Sequence, residues 1–282
     1  STKDKENKED VVQDANSKGD GNTGNTGNTD NDVTTPTSDP IPPPPKPGFC
    51  SCRSKPIIPE FAPGEHPFKG IKGLDNPEAL PMPDKLTSKC RKIATASNIL
   101  DLMGEYRTRA LFSSKSMPLR EACVKKTKLM LDEGEFRSNP GSMEAIPGLM
   151  GIVRVGLGDK MLQVYLGATD LLETVLKLMK HVEISDEDAS YVLESIVTSL
   201  VVRLNHEQYK IREAAKNSLK YISDSSDVGS ILISKNCLKS MPPNLVVAWR
   251  PICYRLQLLL SLLTEKGLGL ENSGITTDKM LK

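Results

Sequence analysis

Few side chains in this sequence are placed to do chemistry. Six cysteines stand at 50, 52, 90, 123, 237 and 253, and three histidines at 66, 181 and 206. Cys50 and Cys52 form a close thiol pair, yet tetrahedral zinc needs a second Cys or His pair and only the lone His66 lies nearby. The three histidines are far apart and have no Cys or Asp at ligand spacing. The cysteines show no disulfide-framework spacing, and a reducing cytosol fits them best. The acidic run Glu183, Asp186, Glu187 and Asp188 suits a solvated helix N-terminus, where the dipole favours negative charge, better than it suits a metal. No GxSxG, P-loop, HExxH or dinucleotide fingerprint is present, and Gly156-Leu157-Gly158 lacks both a preceding strand and a third glycine. The residues therefore point away from an enzyme, a cofactor and a small-molecule substrate.

What remains is a set of basic and apolar residues at corners of the chain: Lys115, Arg120, Lys160, Lys210 and Arg212, with Met117 beside the first two. These corners recur. Polar or Pro/Gly-marked breaks near Lys115, Asp159, Asn205 and Pro243 lie 44, 46 and 38 residues apart. Paired-helix repeats of the HEAT and armadillo kind have periods of about 40–47 residues. Such a solenoid has no pocket of its own, so function would sit on the loops along one edge.

The segments between corners carry helical periodicity. A first helix is expected from about Asp84 to Phe112, and a second from Met117 to Asp132, with Pro118 tolerated in its first turn. A third covers about Ala145–Leu157, and Asp159 is placed to cap the next. That fourth helix puts Leu162, Tyr165, Leu166, Leu172, Val175, Leu176 and Met179 on one stripe. Ser185 to Asp188 resembles a capping box opening a fifth. A sixth buries Ile211, Ala214, Ala215, Leu219 and Ile222. A shorter one follows near Val228–Leu238, and an eighth, Leu245–Leu263, is expected to bury Ala248, Trp249, Ile252, Leu256, Leu259, Leu260 and Leu263. No segment alternates as a strand would. The expectation is an all-α, HEAT-repeat α-solenoid of about four helix pairs, with a fifth beginning after Gly274.

Residues 1–83 read differently and are expected to be a disordered, low-complexity, Pro-rich linker ahead of an array spanning 84–282. Residues 1–48 hold a Gly-Asn-Thr repeat, a proline run from Pro42 to Pro45, and five lysines against nine acids. So little apolar surface cannot offset the entropy of ordering. The whole chain is at +1, which leaves residues 49–282 mildly basic. That balance suits an acidic protein partner better than nucleic acid. No run of 18 apolar residues argues for a membrane, and both ends read as cut from something longer. Arg53 to Pro59 is a near-miss to the Ser-x-Ile-Pro signal that binds microtubule end-binding proteins.

The run Leu86-Thr87-Ser88-Lys89, then Met103-Gly104-Glu105, then Ser114 to Ala122 resembles the opening of a TOG-type HEAT array of the kind found in ciliary-tip and centriolar proteins. Residues 273–282 resemble the entry into that array's next repeat. The resemblance implies a non-catalytic, TOG-like module that binds a tubulin heterodimer or a microtubule plus end through intra-repeat loops. It also implies a cytoplasmic, cytoskeletal location at the cilium tip and centriole or centrosome, with coiled-coil and zinc-finger segments elsewhere in the full-length protein. Carried onto this chain, the first loop is Ser114 to Arg120, with Lys115, Met117 and Arg120. Met117 stands where the family usually has Trp, so it covers less apolar area. The second loop is Asp159-Lys160-Met161, the third runs from His206 to Arg212 with Gln208, Lys210 and Arg212, and the fourth holds Asn244 and Leu245. Two readings stay open for Arg120 and Arg212, contact with partner or pairing within the fold. A generic HEAT scaffold that does not bind tubulin is the alternative function.

Overall fold

In the computed structural model, residues 66–136, 142–239 and 249–266 are described, and among them the secondary structure is helical. The helices are α1 (Ser88–Ala96), α2 (Ile99–Leu111), α3 (Met117–Asp132), α4 (Ser142–Leu157), α5 (Leu162–Val182), α6 (Asp186–Arg203), α7 (Tyr209–Ser225), α8 (Asp227–Leu238) and α9 (Trp249–Lys266). A single 3-10 turn, Pro77–Ala79, precedes them.

Packing is between neighbours, as a solenoid requires. Helices α2, α4, α6 and α8 touch in series and make one layer, while α3, α5 and α7 make the second. Antiparallel pairs α2/α3, α4/α5 and α6/α7 join the layers. The periodic stripes read from the sequence fill the space between them: Leu119, Ile146, Leu149, Tyr165, Val175, Ile196, Leu200, Leu219 and Ile222 are buried. Serine side chains cap two helix starts, the second of them the one expected at Ser185. Ser116 Oγ accepts from Leu119 N at the start of α3, and Ser185 Oγ accepts from Asp188 N at the start of α6.

Four expectations need correcting. The helix expected over 84–112 is broken at Ser97 and Asn98, where Asn98 turns into the left-handed region at φ 54°, and α2 kinks again at Gly104, whose φ of 73° is not helical. Asparagine tolerates that region, so the apolar pattern runs across the break without announcing it. Asp159 does not cap α5, whose N-cap is Met161 with no side-chain cap bond. The third helix starts at Ser142 rather than Ala145, which puts Pro147 inside it instead of in the first turn. Trp249, expected in the core, is 69% exposed; α9 buries Leu258, Leu259 and Leu262 and leaves Ile252, Leu256 and Leu260 outward.

Residues 66–87 lie against the first helices. Phe68 is fully buried beside Tyr106, with ring centroids 6.1 Å apart. Lys126 donates to the Lys69 carbonyl at 3.1 Å, and Arg109 donates to the Asp84 carbonyl at 3.0 Å and to that of Pro83. Part of the stretch read as linker is thus held on the array. Residues 1–65, which include the Cys50/Cys52 pair and the Arg53–Pro59 signal, lie outside the described residues.

Two cysteines are sealed in this core. Burial pushes the Cys123 thiol up to about 12 and that of Cys237 up to about 11. Since the thiolate is the reactive form, neither should react with a disulfide-exchange reagent at pH 8 until denaturant is added. The half-buried Cys90 and Cys253 should label ahead of both. Peptide mapping after timed labelling checks this, and modification of Cys123 at the Cys90 rate would contradict it.

Candidate functional site

The helix pairs place their internal loops at one end. Chain segments 112–116, 158–161 and 204–208 join α2 to α3, α4 to α5 and α6 to α7. Because α2, α4 and α6 form one layer and their partners the other, the three loops make one edge.

Arginines hold that edge in shape. Arg120, in the first turns of α3, reaches into the next repeat: its Nε lies 2.6 Å from Asp159 Oδ2 and its Nη2 3.3 Å from Oδ1. Its Nη1 also donates to the Ser113 carbonyl at 2.7 Å. Asp159 Oδ1 accepts in turn from Met161 N at 2.8 Å. The paired side chains are only 15% and 11% exposed. Arg203, closing α6, donates to the Leu157 carbonyl from Nε and Nη2 at 3.2 and 3.1 Å and to that of Asp159 at 3.1 Å. Its guanidinium sits 5.6 Å from the Tyr165 ring, whose hydroxyl is pushed upward in pKa by burial. Arg212 donates to the carbonyls of His206 and Glu207 at 2.8 and 2.7 Å, between the rings of Tyr209 and Tyr254. Each arginine satisfies loop carbonyls that a tight corner would otherwise leave without partners.

The lysines do the opposite. Lys115, Lys160 and Lys210 are exposed and have no hydrogen-bond or ion-pair partner among the described residues. Gln208 and Met161 are exposed with them, and Met117 is half-buried against the core. Arg120 and Arg212, named with the lysines from the sequence, are spent on the loops themselves. Asn244 and Leu245 lie outside the described residues.

Two features escaped the sequence reading. Tyr209 is 64% exposed in the first turn of α7, next to Lys210; an aromatic off the buried stripe beside a corner was the available signal. The roles of Asp159 and Arg203 as ties had none, since their partners lie 39 and 46 residues away.

Chemically the edge is suited to contact. Among the described residues no group of His, Cys, Asp and Glu could hold a metal, and no helix is long and apolar enough to cross a membrane.

No curated protein matches the sequence. Two solved structures share the fold. One is described as the structure of the TOG domain of human Cep104, with a TM-score of 0.62 at 19% identity, over 72% of this chain and 76% of that one. The other, a CEP104 TOG domain, has a TM-score of 0.59 at 20% identity, over 71% and 76%. The family described as centrosomal protein CEP104, TOG domain, matches residues 93–282. With two helix layers, one tied loop edge and a family match over most of its length, the chain belongs to the CEP104 TOG domain family.

Proposed function

We propose that the array is a non-catalytic tubulin-binding module that captures a tubulin heterodimer, free or at a microtubule plus end, on its loop edge. The observation that carries the reading is the division of labour among the cations: arginines fix the loop backbones while Lys115, Lys160 and Lys210 stand uncompensated beside Met161, Gln208 and Tyr209. Tubulin is acidic, so such a ridge speeds encounter and fixes register. Family membership and the resemblance of the loop segments support a place at the cilium tip, centriole or centrosome within the cytoskeleton. End-binding proteins, through residues 53–59, are a further expected partner, and the fourth loop at Asn244 and Leu245 a further contact.

The test is size-exclusion chromatography of the full chain with free tubulin at low salt, beside a Lys115→Glu/Lys210→Glu variant. A shifted complex is expected for the parent chain, with affinity falling roughly tenfold or more in the variant, since reversal replaces two favourable charge contacts by repulsion. Both sites are exposed, so melting temperature should hold. A folded parent chain that never shifts tubulin would favour the generic HEAT scaffold, a reading that Met117, where the family usually has Trp, also supports.

A further inference from the structure

A furrow begins at the loop edge and runs away from it toward α6. Two hollows of about 480 and 410 Å³ meet at Arg154, which lines both. The first opens between the first two loops over a floor that includes Ile93, Leu111 and Val155. The second continues along α4 and α6 past Met150 to Tyr191. Helix α1 and its C-cap supply residues to both, Ile93 to one and Ala96 and Ser97 to the other.

The charge along this furrow is one-sided. Segment 85–98 contains Lys85, Lys89, Arg91 and Lys92 and no acid. All four are exposed, and Arg91 is ion-paired, to Glu105 at 2.7 Å. Lys89 and Lys92 do not line the hollows, but helical spacing sets them one turn before Ile93 and Ala96, which do. They also lie in the first turns of α1, where the dipole disfavours positive charge. Arg154 has the Ser97 hydroxyl, 2.9 Å away, as its partner and no carboxylate among the described residues. Of the acids lining the hollows, Asp159 is held by Arg120, and Glu194 stands alone against this row.

We infer that the furrow takes an acidic, extended polypeptide segment, with carboxylates on Lys89, Lys92 and Arg154 and an apolar side chain on the floor. Its source is the tubulin whose body rests on the loop edge, so the inference stands on the function proposed above. The first hollow is lined by Ser114 and Asp159 of the first two loops, so the furrow is continuous with the edge on which that body would rest. The acidic C-terminal tails of tubulin have the required chemistry.

The test compares intact tubulin with tubulin whose tails have been removed by subtilisin, each titrated against the full chain at low salt. Tail removal should weaken binding roughly fivefold, the scale expected of a few exposed charge contacts. A Lys89→Glu/Lys92→Glu/Arg154→Glu variant should bind intact tubulin more weakly and lose its sensitivity to the tails, with an unchanged melting curve. Equal binding of intact and cleaved tubulin by the parent chain would overturn the inference while leaving the loop edge in place. The same fivefold drop persisting in the variant would overturn it too. Binding of a labelled oligoglutamate peptide without any tail effect would assign the furrow to another acidic chain and reject tubulin as its source. If the parent chain binds neither tubulin, the loop-edge reading fails and this one with it.

Discussion

Asp159→Ala should lower the unfolding free energy by about 3 kcal/mol, the lower end of the cost of leaving one member of a buried ion pair without its partner. The lower end applies because both side chains keep some solvent contact, at 15% and 11%. Arg120 would lose its bidentate partner and Met161 N its acceptor, so the second loop should loosen as well. An Arg120→Met/Asp159→Ala double variant should recover much of the loss, because an apolar residue can replace a buried charge pair at little cost. Urea denaturation followed by circular dichroism measures both. A loss below about 1 kcal/mol for Asp159→Ala would place the pair among ordinary surface salt bridges.

Gly229→Ala should cost about 3 kcal/mol, at the upper end of ordinary overpacking. Helices α7 and α8 are joined through Ser226, which ends one and caps the other: Gly229 N donates to Ser226 Oγ and to its carbonyl, each at 3.1 Å. A Cβ at 229 would stand 2.4 Å from the Ile222 carbonyl oxygen and 2.9 Å from its carbon. Backbone on both sides gives no flexible atom to move, so α8 must shift away from α7 and weaken the buried Ser223–Ser230 hydroxyl contact at 2.8 Å. Gly167→Ala in α5 is the control of opposite sign. Its Cβ would meet Val124 Cγ1 at 3.4 Å, an ordinary contact, and relief of mid-helix glycine should stabilise by about 0.5–1 kcal/mol. Matching denaturation curves for the two variants would remove the steric argument.

Much of the helix succession was legible because it depends on local pattern. The stripe from Leu162 to Met179 needs only a 3.6-residue period, and the corners at Lys115, Asp159 and Asn205 fall in the loops of the structure. Arrangements set by distant partners were not legible. Asn98 breaks a helix through one backbone angle while Ile99 keeps the apolar spacing, so periodicity alone cannot see it. Trp249 sits among apolar neighbours at helical spacing, yet which side of α9 is covered depends on what packs there; Leu258, Leu259 and Leu262 are on the covered side. The same limit applied to the candidate site. The basic residues of the loops were readable, but Arg120 and Lys115 differ only in whether a carboxylate from the next repeat lies within reach.

The arginine ties give the array a stiffness that differs between its two edges. Arg120 spans the first and second loops, and Arg203 the second loop and α6, whereas among the described residues no arginine bonds across the opposite connectors at 183–185 and Ser226. Repeats that touch only their neighbours flex by small rotations at each junction. With one edge cross-braced, those rotations must hinge there, opening and closing the far side while the spacing between loops stays constant. The edge therefore works as a ruler of fixed graduation. The distances between its loops are set within the chain, by Arg120 and Arg203.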